Sequence, residues 1–200
     1  MQNCLKLQSL GVLTPEPIGY VVDKTWFGLP RRSLYAAKWI EDSVALDRFE
    51  MKKQLAPNEP IIFFRELLTA IGKYIARLNQ KKIIPYDLNA GNLLVKRSEK
   101  DCYRFYLVDY ERISFPDKVS KKAIIVGLSQ MAAFFLPRCK SAVEYICKGY
   151  TTALPHIDLA ELIDKVDVQA RYRTAKWEKK LDQQFTLIAA QIAKEKSNEI

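Results

Sequence analysis

The chain has 200 residues, 48% hydrophobic and 28% charged, with a net charge of +9 and a pI near 9.3. These values suit one domain or one and a half with a sizeable core and are ordinary for a globular protein, and the chain shows no internal repeat or low-complexity tract. The positive balance calls for an acidic partner (nucleic acid, anionic lipid or a phosphorylated substrate), and charge alone does not choose among them.

Cys4, Cys102, Cys139 and Cys147 form no Cys-x-x-Cys pair, and His156 is the sole histidine. A zinc cluster is therefore not expected, and scattered thiols suit a reducing compartment. No basic stretch followed by an apolar core opens the chain, so no signal peptide is expected. The most apolar run, residues 123 to 136, is interrupted by Gly127, Ser129 and Gln130. It falls short of the roughly 20 residues that cross a bilayer and reads as a buried helix. The expectation is a cytoplasmic protein that can touch a membrane. Nucleic-acid binding has no recognition motif or aromatic-basic interleaving in its favour, so no specific nucleic acid is expected.

Residues 2 to 10 read as the end of a helix, with Leu5, Leu7 and Leu10 apolar and Gly11 as its stop. Pro15 and Pro17 force an extended linker. Residues 20 to 22 and 34 to 37 are strand candidates, with a turn at residues 28 to 30. Residues 43 to 53 read as a short helix, broken by residues 56 to 60. The clearest helix follows. Phe64, Leu67, Leu68, Ile71, Ile75 and Leu78 recur at three- and four-residue intervals, with Asn58 as candidate cap and Pro60 in the first turn. That stripe is core packing.

Next come Ile83-Ile84-Pro85-Tyr86-Asp87-Leu88-Asn89-Ala90-Gly91-Asn92-Leu93-Leu94-Val95 and Phe105-Tyr106-Leu107-Val108-Asp109-Tyr110-Glu111. Each reads as an apolar strand delivering a carboxylate to its C-terminal end, with residues 96 to 101 as a charged turn between them. An Asp and an Asn five apart can be mere turn residues. Followed by an apolar strand and a second strand ending in Asp, they match the catalytic centre of the protein-kinase-like fold. There one carboxylate accepts the proton of an attacking hydroxyl, while an amide oxygen and a second carboxylate hold the magnesium on ATP. Those roles fall to Asp87, Asn92 and Asp109. Beyond Pro116 the pattern is helical: residues 123 to 136, 141 to 154 and 157 to 168, then a last helix with Trp177, Leu181, Phe185, Ile188 and Ile192 on one face. Arg171, Arg173, Lys176, Lys179 and Lys180 cluster at its start, either as a solvated face or as a docking surface for phosphate-rich lipid.

Asp87-Leu88-Asn89-Ala90-Gly91-Asn92-Leu93-Leu94, with Leu107-Val108-Asp109-Tyr110-Glu111-Arg112, resembles the lipopolysaccharide kinase family of Kdo and heptose kinases. Residues 10 to 20, with the Pro15-Glu16-Pro17 linker, are similar to that family's segment between the N-lobe helix and the next strand. The resemblance spans about residues 3 to 115. It implies an α+β, protein-kinase-like fold, largely the helical C-lobe with an incomplete N-lobe. Residues 1–41 would be a partial N-lobe and residues 42–200 the C-lobe. Residues 38 to 41 would be the adenine-binding hinge, with Ile40 against the base, and Leu94 would floor the adenine.

The resemblance further implies ATP and Mg²⁺ as cofactors, a lipopolysaccharide core or lipid A precursor as acceptor, and a place on the cytoplasmic face of the inner membrane. Asn89, where protein kinases usually carry Lys, favours a non-protein acceptor. Two departures stand out. Pro85 or Tyr86 replaces the family's loop histidine. No Gly-x-Gly-x-x-Gly motif or strand lysine is found, and the paired helix glutamate would fall at or before Met1. The expectation is a chain beginning inside the N-lobe helix and weakly active or inactive alone. An aminoglycoside- or choline-type kinase and a non-catalytic pseudokinase binding module are the alternatives.

Overall fold

A computed structural model describes residues 2–49, 59–97 and 103–197, with side chains left undescribed at 59–61 and 185–197. The elements are α1 (Gln2–Ser9), β1 (Pro17–Lys24), β2 (Pro30–Ala37), β3 (Val44–Ala45), α2 (Leu46–Phe49), α3 (Glu59–Gln80) and β4 (Ile84–Pro85). They continue with a 3₁₀ turn at Ala90–Asn92, β5 (Leu93–Arg97), β6 (Tyr103–Leu107), β7 (Ile113–Ser114), α4 (Lys121–Phe135), α5 (Ala142–Ala153) and α6 (Leu159–Ser197). The strands form three small antiparallel sheets, β1-β2, β3-β5-β6 and β4-β7.

The helix read most clearly from sequence is the centre of the core. Phe64, Leu67, Leu68, Ile71, Ile75 and Leu78 are all at most 8% exposed. Around α3 gather Leu7 of α1, Leu93 and Val95 of β5, Phe105 and Leu107 of β6, and Ile146 and Tyr150 of α5. Helices α3 and α5 touch backbone to backbone: a Cβ on Gly72 would lie 2.0 Å from the Ile146 carbonyl oxygen, and one on Gly149 2.0 Å from that of Thr69. Only a residue without a side chain permits that approach.

Two helix ends close in the same way. After α1, Val12 N–H donates to Leu7 O at 2.9 Å and Gly11 N–H to Gln8 O at 2.8 Å. After α3, Ile83 N–H donates to Leu78 O and Lys82 N–H to Asn79 O, both at 2.9 Å. Both are the paired bonds of a Schellman motif, with the buried apolar contacts Leu7–Val12 and Leu78–Ile83. The motif needs a left-handed residue. Gly11 at φ 69° supplies it freely, whereas Lys82 at φ 58° does so with a Cβ. Lys82 is exposed. Lys82→Gly should therefore raise stability by about 0.5–1 kcal/mol, read as a melting midpoint roughly 1–4 °C higher; a fall would contradict this account of the turn.

Several element boundaries differ from the sequence reading. Residues 43 to 53 do not form one helix within the described part. Val44 and Ala45 pair with Val95 and Leu94, and a single helical turn follows at α2. The open edge of β5 captures a segment whose periodicity alone suits a helix. The second strand stops at Leu107, short of Asp109. The helices expected at 157 to 168 and around Trp177 are one continuous α6, since no Gly or Pro lies between them. Its first half packs on α4 through Leu162, Val166 and Ala170. From Ala175 to Gln184 every residue is exposed, Trp177 and Leu181 included. The Asn58 cap lies outside the described residues.

Candidate active site

The loop after α3 is positioned at both ends. At its entry, Ile84 and Pro85 pair with Ser114 and Ile113. Tyr86 N–H donates to Arg112 O at 2.8 Å, and Gln130 Nε2 of α4 donates to Tyr86 O at 2.9 Å. Pro85, one of the two residues read as replacing a loop histidine, is buried in this pairing and lacks the N–H that a neighbour would otherwise have to satisfy. At its exit, β5 runs antiparallel to β6, with Leu93 opposite Leu107.

Between these anchors the loop is braced by its own polar side chains. Asn89 Nδ2 donates to Asp87 Oδ1 at 3.1 Å, while Asn89 Oδ1 accepts from Asn92 N–H at 3.0 Å and so caps the 3₁₀ turn. Asn92 Nδ2 donates to the Asp87 carbonyl at 3.0 Å. Val108 N–H donates to the Asn92 carbonyl at 3.0 Å, which fastens the residue before Asp109 to the loop. Asp87 and Asn92 are thus held in one loop, and Asp109 sits one residue from its hydrogen-bonded partner.

Asp109 has φ 58°, a left-handed conformation that Asp tolerates better than most residues. Such outliers persist where the surroundings hold them in place. Its exposed carboxylate has no ion-pair partner among the described residues. The next residue is clamped: Tyr110 O accepts from Asn3 Nδ2 of α1 at 2.7 Å, and its ring meets Tyr35 of β2 edge-on at 6.0 Å. Burial raises the Tyr110 phenol above its ordinary value, with the Tyr35 hydroxyl adding to it, so it stays neutral.

The donor set suits a hard cation. Asn92 spends its amide nitrogen on the loop, which leaves its oxygen without a hydrogen bond among the described residues, and Asp109 brings an unpaired carboxylate. Oxygen-only ligands of this kind fit Mg²⁺, which keeps several waters and substrate oxygens of its own. Among the described residues no three His, Cys, Asp or Glu gather into a metal cluster.

Sequence reasoning overlooked Asp47. Strand β3 brings α2 against the 3₁₀ turn, and a Cβ on Gly91 would lie 3.5 Å from Asp47 Oδ2. Asp47 Oδ1 is buried with no hydrogen-bond partner among the described residues. A carboxylate oxygen left so beside the loop suits a polar ligand that donates to it. Nothing in a segment that reads as a short amphipathic helix signals this. Leu94, half-buried, lies across from Ala45 and Tyr106. Ile40, also half-buried, precedes β3, and its carbonyl accepts from Ser43 Oγ at 2.8 Å. The β3–β5 pairing therefore draws the segment after Ile40 alongside Leu94.

A family model described as the lipopolysaccharide kinase (Kdo/WaaP) family matches residues 1–165. The 3-deoxy-D-manno-octulosonic acid kinase of Mannheimia succiniciproducens is 33% identical over 107 residues, covering 54% of this chain and 40% of that protein. That of Pasteurella multocida is 28% identical over 107 residues, with the same coverage of 54% and 40%. The chain thus spans less than half the length of these curated relatives. A solved structure of WaaP in complex with acyl carrier protein superposes with a TM-score of 0.63 at 17% identity, covering 89% of this chain and 73% of that one. That likeness establishes the protein-kinase-like fold.

Proposed function

We propose, because the chain belongs to the lipopolysaccharide kinase (Kdo/WaaP) family, that it transfers the γ-phosphoryl group of ATP to a Kdo or heptose hydroxyl of a lipopolysaccharide core or lipid A precursor. The observation that carries this reading is the hydrogen-bonded loop that holds Asp87 and Asn92 together and ties Val108, the neighbour of Asp109, to Asn92. Asp87 would accept the proton of the attacking sugar hydroxyl. Asn89 orients that carboxylate through its 3.1 Å hydrogen bond, the place a protein kinase gives to a lysine. Asn92 and Asp109 would hold Mg²⁺, which when bound neutralises phosphate charge. Leu94 and Ile40 would contact adenine. The rest is positioning: a held hydroxyl and a held phosphate react as if at very high local concentration.

Residues 1–41 are read as part of an N-lobe and 42–200 as the C-lobe, with the cleft between. The relatives matched are sugar kinases, which sets the aminoglycoside- and choline-type alternatives behind. The acceptor is lipid-linked, so the place of action is proposed to be the cytoplasmic face of the membrane that carries it. Among the described residues no helix is long and apolar enough to cross a membrane.

An acceptor panel with Mg-ATP tests this: Kdo-lipid A, a heptosylated core, an aminoglycoside and choline. Phosphate on a Kdo or heptose hydroxyl is expected, slowly, since none of the 200 residues matches a glycine-rich phosphate loop. Phosphorylation of the aminoglycoside or choline alone would overturn the assignment.

A further inference from the structure

The far end of the β1-β2 hairpin lies outside the residues assigned to the proposed reaction, and its turn is closed by its own hydrogen bonds. Thr25 N–H donates to Leu29 O and Gly28 N–H to Thr25 O, both at 2.8 Å, and Leu29 N–H donates to Thr25 Oγ1 at 3.2 Å. Gly28 takes φ 76°, a value that favours glycine in such a turn. The closed turn holds Trp26 and Phe27 outward at 96% and 86% exposed, with Leu29 beside them at 65%. Scattered exposed apolar side chains need no explanation. Two aromatics and a leucine side by side on a fixed convex turn are a patch, and such patches mark contact surfaces.

The rim decides the occupant. Lys24, Arg31 and Arg32 flank the tip, all exposed and with no ion-pair partner among the described residues. Asp23, opposite Arg32 across the hairpin, is the carboxylate of this stretch. An apolar, aromatic point within a cationic collar matches the depth profile of an anionic bilayer. Tryptophan favours the headgroup level, apolar rings reach the acyl boundary, and Lys and Arg meet acidic headgroups. A protein partner would need a pocket cut to this protrusion, whereas a bilayer deforms around it.

We propose that the Trp26–Leu29 tip is a membrane-docking wedge that inserts into the interface of an anionic bilayer. It rests on the proposed function only for its purpose, which is to keep the enzyme at the surface where its lipid-linked acceptor lies. The hairpin is coupled to the site: Tyr35 of β2, which packs on Tyr110 beside Asp109, is six residues from Leu29, roughly 20 Å of extended strand. Docking the tip therefore fixes the height of the Asp87–Asp109 region above the lipid.

Vesicle co-sedimentation of the 200-residue chain tests the wedge, using phosphatidylcholine vesicles with and without phosphatidylglycerol, in the absence of ATP and sugar acceptor. Trp26→Ala/Phe27→Ala should cut partition into anionic vesicles at least about tenfold. Its melting midpoint should be unchanged, because neither side chain is buried. Arg31→Glu/Arg32→Glu should weaken binding to anionic vesicles and flatten its salt dependence. In a Trp39→Phe/Trp177→Phe background, Trp26 emission should shift to the blue on binding and be quenched by brominated lipid. Unaltered partition of the Trp26/Phe27 variant, or loss only with Trp177→Ala/Leu181→Ala, would overturn the proposal. So would vesicle-free self-association abolished by the tip variant, which would make the tip a contact between copies. With no nucleotide or sugar present, these outcomes stand whatever reaction the cleft performs.

Discussion

Asp87→Ala should lower the rate of ATP-dependent phosphate transfer by about a thousandfold, the usual scale for losing a positioned proton acceptor. The fold should survive. Among the described residues the Asp87 side chain accepts one hydrogen bond, from Asn89 Nδ2, and its removal costs about 1 kcal/mol, or roughly 2–4 °C in melting midpoint. The backbone carbonyl that holds Asn92 is untouched. Asp87→Asn should be nearly as inactive, since it keeps the shape and loses the base. Transfer to Kdo-lipid A within about tenfold of the parent chain, in either variant, would remove Asp87 from the role of base.

Gly72→Ala should be among the most damaging single-methyl additions in the molecule. The new Cβ would sit 2.0 Å from Ile146 O and 2.8 Å from Tyr150 N, both backbone atoms of α5. Carbon and oxygen in such contacts ordinarily stay about 3.3 Å apart or more, so α3 and α5 must separate by about an ångström. That would open the core around the fully buried Leu68, Ile146 and Tyr150. Overpacking on this scale outweighs the roughly 1 kcal/mol that alanine gains over glycine in helix propensity. A net loss of about 3 kcal/mol is expected, read as a midpoint roughly 6–12 °C lower. Gly149→Ala should behave alike, its Cβ meeting Thr69 O at 2.0 Å. Gly127→Ala in α4 meets nothing within 4 Å and should instead stabilise slightly. If all three variants behaved alike, the backbone contact of α3 with α5 would be refuted.

What could be read from the residues depended on the range of the forces involved. The α3 stripe, the stop at Gly11 and the ends of the helices read to residues 136 and 154 are local signals, and each appears within a residue of where it was read. The loop from Asp87 to Asn92 could be picked out by its residue types and spacing, and the structure shows its side chains hydrogen-bonded within it. Its bracing was legible only in part: Asn89 was noticed for replacing a lysine, not for capping the 3₁₀ turn and holding the Asp87 carboxylate. Long-range choices were hidden. The two-residue pairings of Ile84-Pro85 with Ile113-Ser114, and of Val44-Ala45 with β5, have no periodicity to reveal them. Asp47 acquired its place beside Gly91 through the second of these. The left-handed backbone at Asp109 follows from its attachments on either side, to the loop through Val108 and to α1 through Tyr110.

The central claim is that Asn92 and Asp109, with Asp87 beside them, form one metal-nucleotide pocket. Titrating the chain with Mn²⁺ and ATP, and following bound manganese by electron paramagnetic resonance, addresses it without requiring turnover. Asp109→Ala and Asn92→Ala should each weaken Mn²⁺-ATP binding by about tenfold or more, while Asp87→Ala should bind it nearly as the parent does. Mn²⁺-ATP affinity indifferent to both Asn92 and Asp109 would contradict the account.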